Sequence, residues 1–292
     1  MNDLLVSLDI NADLARTMIV NFIRDEITRV GFSRGVLGLS GGIDSSLVAF
    51  LAVEALGAQN VLGVLMPYRT SSPESRADAE TVAQKLGIAT RVIEITALVD
   101  PYLEKFASGS STSPLRGSAQ DATQIARRRG NVMARARMIA LYDQSEEFHA
   151  LVVGTSNKTE ALLGYTTQFG DNAAAIQPIA DLYKAQVRQL ARVVGVPDKI
   201  IAKAPSADLW QGQTDEGELG FTYDDADAIL YRLVDERRRA ADVIALGFDA
   251  RVVQRIVGLV RRNHFKRVTP PACKLSARTI GIDFLYDRDW GT

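Results

Sequence analysis

The chain has 292 residues, 47% hydrophobic and 24% charged, with 34 basic side chains against 35 acidic ones. That apolar content excludes a disordered chain, 22 glycines are too few for a collagen-like one, and a formal net charge of −1 argues against a dedicated nucleic-acid binder. A lone cysteine forms no internal disulfide and, alone, no structural zinc site. No run reaches the roughly 18 apolar residues of a membrane span, and the first residues lack a signal peptide's basic end and apolar centre. A soluble, cytoplasmic protein is expected, with neither membrane nor nucleic acid as a partner.

In chain order, a helical pattern over residues 13–30 comes first. Short β-branched runs follow at 36–39, 61–66, 91–95 and 151–154, with a brief fifth at Ala175-Ile176. They are apolar on both alternating faces, as in a parallel sheet covered on both sides. The clearest intervening helix covers 45–56, with Leu47, Val48, Leu51 and Leu56 along one stripe and Gly57 as its C-cap. Strand, helix, strand repeated in this way predicts an α/β fold with a doubly wound parallel sheet. Residues 108–114 are small and polar and read as a mobile loop. From 224 to 266 two helical patterns, split at Leu246-Gly247-Phe248-Asp249, form a helical appendage or part of a subunit interface.

The most informative segment is Gly38-Leu39-Ser40-Gly41-Gly42-Ile43-Asp44-Ser45-Ser46, which follows a strand and opens a helix. Its glycines let the backbone approach a ligand, the helix N-terminus favours negative charge, and Ser40, Ser45 and Ser46 add hydroxyl donors. This is an anion cradle suited to phosphate, and it is neither a Walker loop nor a dinucleotide fingerprint. Gly38 to Gly42 also fits G-x-S-x-G, the nucleophile elbow of serine hydrolases. That chemistry needs a histidine base, and only His149 and His264 exist, neither in a suggestive context. A plain strand-to-helix turn is the remaining alternative.

Ser40-Gly41-Gly42-Ile43-Asp44-Ser45 resembles the S-G-G-x-D-S signature of ATP pyrophosphatases, which cleave ATP between its α- and β-phosphates. Further segments resemble those of NAD synthetases, in order and spacing, from about residue 15 to 270. They are the stretch Gly130-Asn131 to Arg135-Ala136-Arg137-Met138, then Gly154-Thr155 with Glu160, then Gly164 and Thr167 with Gly170-Asp171. Asp181-Leu182-Tyr183-Lys184, Pro205-Ser206-Ala207-Asp208-Leu209 with Gln213-Thr214-Asp215-Glu216, and Phe265-Lys266-Arg267 complete the series.

The resemblance implies an adenine-nucleotide α hydrolase-like fold of Rossmann type. It implies one domain over residues 1–292, with a nucleotide-binding core near 30–210 and a helical part near 222–268. The implied reaction joins deamido-NAD and ammonia into NAD through an adenylated intermediate, with ATP as co-substrate and AMP and pyrophosphate released. Gly38, Leu39, Ser40, Gly41, Gly42, Ile43, Asp44, Ser45, Thr155, Lys184 and Ser206 fall on the family's ATP positions. Asp44 and Glu160 fall on its magnesium ligands. Arg135, Gln168, Ala175, Phe265 and Lys266 fall on its substrate positions, and a homodimer is implied. No protein nucleophile is needed, so positioning and charge, supplied by Asp44 and Lys184, carry the chemistry. Glutamine-using relatives carry a further amidase domain with a catalytic cysteine, so 292 residues with Cys273 alone point to ammonia as the nitrogen source.

Many members carry lysine at Gln168 and aspartate at Ala175, and some carry histidine at Phe265, next to which this chain has His264. A ligase adenylating a different carboxylate therefore stays open, as does a nucleotide-binding regulator without turnover. Several residues also have ordinary structural readings. Arg127-Arg128-Arg129 spread around a helix and read as a solvated surface or a contribution to substrate phosphates. Arg237-Arg238-Arg239 read as surface charge, His149 as packing or surface, Trp210 as packing or a wall near a nucleotide, and Cys273 as incidental. Glu160 suits the first turn of any helix, and Arg135 and Lys184 any solvated helix face.

Overall fold

A computed structural model describes residues 8–107, 122–206 and 214–284. The loop expected at 108–114, Trp210, and the part of the Pro205 segment from 207 to 213 lie outside the described residues. The α/β part contains α1 (Ala12–Arg29), β1 (Gly35–Gly38), α2 (Ile43–Leu56), β2 (Val61–Leu65), α3 (Pro73–Leu86) and β3 (Ala89–Val92). It continues through α4 (Thr96–Ala107), α5 (Ala122–Phe148), β4 (Leu151–Val152), α6 (Lys158–Leu163), α7 (Lys184–Val194) and α8 (Asp198–Ile201). The last part is helical: α9 (Asp215–Leu219), α10 (Tyr223–Val234), α11 (Ala240–Ala245), α12 (Ala250–Arg262) and a 3-10 turn over His264–Arg267.

The four strands are parallel, in the order β3-β2-β1-β4. The fifth run is a single parallel bridge, Val153 to Ile176, beyond β4. β2 is buried along its whole length, whereas β3 is an exposed edge whose Arg91 pairs with Glu147 of α5 at 2.7 Å. β3 also begins two residues before the expected run. Gly87 ends α3 in the left-handed conformation, and the chain enters the ladder at once.

α1, α2 and α7 cover one face of the sheet, and α5 covers the other. α2 is buried nearly all round, because it lies against both neighbouring helices as well as the strands. The C-terminal pattern divides into three helices rather than two, since Arg237, at φ 54°, ends the first half of the pattern before α11 starts. These helices build their own apolar cluster around Ile229, Leu230, Val253 and Ile256, and Leu163 and Tyr183 of the α/β part join it. No helix among the described residues is long and apolar enough to cross a membrane.

Candidate functional site

The chain passes from β1 out to β3 on one side and returns to β4 on the other, so the strand order reverses between β1 and β4. Open α/β sheets bind ligands in the crevice that such a reversal opens at the carboxyl ends of the strands. Leu39 extends the ladder, donating its N–H to Val64 O at 2.9 Å, and the side chains of Leu39 and Ile43 are buried in the core. Both can meet a ligand only through their backbone.

Gly41 turns the loop at φ 77°, where residues with a Cβ are strained, and a Cβ there would stand 2.0 Å from Ser75 O. Ser45 Oγ accepts the Ser40 N–H at 3.2 Å and lies 3.0 Å from Ser40 Oγ. Ser46 does not face the crevice as expected. It is fully buried and donates to Gly42 O at 2.7 Å, so it braces the first turn of α2. Gly42 caps α2 without a side chain, which leaves the helix N-terminus open to an anion.

Asp44, in that first turn, projects its carboxylate towards β4. Its Oδ1 accepts from Asn157 Nδ2 at 2.9 Å, and its Oδ2 pairs with Lys184 Nζ at 2.5 Å. Lys184 also reaches Glu160 Oε1 at 3.3 Å and stands 5.0 Å from the centre of the Tyr223 ring. Asn157 caps α6 by accepting the Glu160 N–H at 3.0 Å, so one cap orients both carboxylates. Tyr223 Oη donates to Asp215 Oδ2 at 3.1 Å, and Asp215 is itself buried. Behind the site, the Lys184 N–H donates to Thr159 Oγ1 at 3.0 Å, and Thr159 donates to Asp227 Oδ1 at 2.5 Å. Burial pushes Asp227 up to about 6, although Thr159 and the Ala185 N–H stabilise its charged form.

The cluster is short of positive charge. Burial pushes the Glu160 carboxyl up to about 8; Lys184 opposes this, and the charges of Asp44 and Asp215 add to it. Burial alone would favour neutral Lys184, but Asp44 and Glu160 outweigh it and raise its pKa. Among the described residues no three His, Cys, Asp or Glu side chains gather to hold a metal ion unaided. Two carboxylates beside an open phosphate loop suit magnesium, which is commonly held by one or two carboxylates together with substrate phosphates. The donor set fits that ion.

A second polar group forms where α5, residues 164–172 and the last 3-10 turn meet. Arg135 Nη2 donates to Gln168 O at 3.2 Å, and Gln168 Nε2 donates to Phe265 O at 3.4 Å. Lys266 Nζ donates to Gly164 O at 2.7 Å and Thr166 O at 2.8 Å. Burial lowers the Lys266 pKa; Asp171 opposes that, while Arg127 and Arg262 add to it.

The sequence matches the NAD synthase family profile over residues 15–270. The chain belongs to the NAD synthase family. It is 53% identical over 284 residues to an NH(3)-dependent NAD(+) synthetase of Trichlorobacter lovleyi, covering 97% of this chain and 98% of the relative. Among solved structures it resembles NMN synthetase from Francisella tularensis, with a TM-score of 0.77 and 31% identity over 91% of this chain and all of the other. It also resembles the NH3-dependent NAD synthetase from Campylobacter jejuni, solved with a nitrate ion, with a TM-score of 0.72 and 29% identity over the same shares.

Within this NAD synthase fold, Asp44, Glu160 and Lys184 come together at the crevice. Thr155 lies just beyond β4, and Ser206 is the last described residue of its segment. Arg135, Gln168, Phe265 and Lys266 converge in the second group, whereas Ala175 is exposed beside the Val153–Ile176 bridge and donates its N–H to Val152 O at 2.9 Å. Lys184 is not a solvated helix residue, being almost wholly buried. Sequence reasoning assigned no role to Asn157, Thr159, Asp215, Tyr223 or Asp227. Asp215 stood in a quoted segment, and Asn157 carried a local signal, an N-cap amide three residues before Glu160.

Proposed function

We propose that the chain amidates deamido-NAD with ammonia at the expense of ATP, giving NAD, AMP and pyrophosphate. The observation that carries this reading is the meeting of Asp44 and Glu160 on Lys184, beside a phosphate loop whose helix N-terminus is open. The backbone of residues 38–45 receives the phosphates of ATP, and Thr155 and Ser206 border the nucleotide. Asp44 and Glu160 would hold magnesium, which when bound neutralises phosphate oxygens as a Lewis acid. Lys184 keeps an ammonium at the same place, where charge builds during phosphoryl transfer.

The nicotinate carboxylate attacks the α-phosphorus and pyrophosphate leaves. Ammonia then adds to the acyl carbon, loses a proton, and AMP departs. Arg135, Gln168 and Lys266 orient the dinucleotide, with Phe265 beside them. Ala175 offers no carboxylate, so this chain holds its substrate without one at that position.

The active form is a homodimer. Ile139 and Tyr142 on α5 are 59% and 41% exposed, and they continue the helix face that carries Arg135. A second copy covering them brings the dimer seam to the substrate group. The setting is cytoplasmic, with neither membrane nor nucleic acid as a partner.

Asp44→Ala tests the site. It is expected to lower AMP formation at least ~100-fold, by loss of charge stabilisation at the phosphate. Wild-type-like rates in Asp44→Ala at low magnesium would contradict the metal assignment. The likeness to an NMN synthetase makes a mononucleotide carboxylate the control substrate.

A further inference from the structure

Arg127 and Arg128 lie outside the family positions named above, yet they face the same region as Arg135. Residues 124, 127, 128, 131, 132 and 135 recur at helical spacing on α5 and wall a cleft of about 380 Å³, faced by Tyr102 of α4. Three guanidinium groups line this cleft and, among the described residues, no acidic side chain does. Arg127 and Arg128 are exposed, and among the described residues neither pairs with a carboxylate. Arg135 is fixed by Gln168 O, and Asn131 Oδ1 by the hydroxyl of Thr167 at 2.9 Å, so the cationic face is docked on the segment that binds Lys266. Arg127 is close enough to Lys266 to disfavour its charged form. Like charges held together on one helix face repel one another, and an anion entering the cleft relieves that repulsion.

We propose that Arg127 and Arg128 extend the site of Arg135 and bind the diphosphate of the dinucleotide substrate. This rests on the function proposed above and names residues that recognise its substrate. Guanidinium groups present paired N–H donors that match phosphate oxygens, and two neighbours one residue apart, with Arg135 two turns on, span more than one phosphate. The chemistry recognised is therefore that of a nucleotide diphosphate diester.

The test is calorimetric titration of the full chain with deamido-NAD and, separately, with ATP and magnesium. The Arg127→Gln/Arg128→Gln double variant is expected to bind deamido-NAD about tenfold or more weakly, and ATP within about twofold of wild type. Arg127→Lys/Arg128→Lys is expected to recover part of the loss, and the salt dependence of dinucleotide binding is expected to flatten in the glutamine variant. Unchanged affinity for deamido-NAD overturns the proposal, and so does equal weakening of both ligands. A wild type that binds deamido-NAD but makes no NAD would overturn the function while leaving the subsite to stand on the change in affinity. A wild type that does not bind it overturns both.

Discussion

In the proposed metal role, one carboxyl group, Glu160, serves two states of the site. Its folded pKa of about 8 lies above the ordinary 4.5, so it holds its proton through neutral pH. The sign follows: in the ligand-free protein the protonated form stabilises the fold fully below about 4.5, and that contribution is lost as pH rises through 8. A divalent cation takes the ionised form, so binding magnesium with ATP at pH 7 is expected to release about one proton. Calorimetry in buffers of different ionisation enthalpy measures this. Glu160→Gln should abolish the release, and equal proton release in wild type and variant would contradict the assignment. At this scale the motifs of the sequence picked out Asp44, Glu160 and Lys184 one by one, but not that the two carboxylates share the lysine. Lys184 is 140 residues from Asp44 in the chain, and only the sheet's reversal brings them together. Tyr223 stayed silent for the same reason, and Asp215 stood in a quoted segment without a role, because no local pattern says that a first-turn aspartate faces inward.

Among the elements, the turn from β1 into α2 was the most legible, since strand, glycine turn and helix start lie where the sequence pattern put them. What the pattern could not give was the reason for each glycine. Gly41 is fixed both by its left-handed backbone and by contact with the carbonyl of Ser75 on α3. Gly41→Ala must strain the loop and push α3 away. A loss of about 1–3 kcal/mol in unfolding free energy is expected, together with at least tenfold weaker ATP binding. Unchanged denaturant midpoint and ATP affinity would show that the loop tolerates a Cβ. The C-terminal helices were less legible. A helical period reports an apolar stripe, and the break at Arg237 comes from a left-handed backbone that arginine rarely adopts. The fifth strand shrank to one bridge because Pro178, lacking an N–H, follows so soon after Ile176.

For the whole molecule, alternation of strands and helices was enough to predict the doubly wound sheet, and the switch point it creates is where the proposed chemistry is placed. Assembly was not readable in the same way, because an apolar stripe on α5 looks alike in sequence whether it packs inside the chain or against a second copy. In the structure Ile139 and Tyr142 stand exposed, so Ile139→Asp/Tyr142→Asp is expected to convert a dimer to a monomer in sedimentation. A wild type that sediments as a monomer would contradict the dimer. The proposed reaction is decided by the stoichiometry of its products. Incubated with ATP, magnesium, ammonium and deamido-NAD, the protein should form NAD, AMP and pyrophosphate in equal amounts, with AMP formation strictly dependent on deamido-NAD. AMP that depends instead on another carboxylate, or tight ATP binding with no AMP at all, would contradict the account.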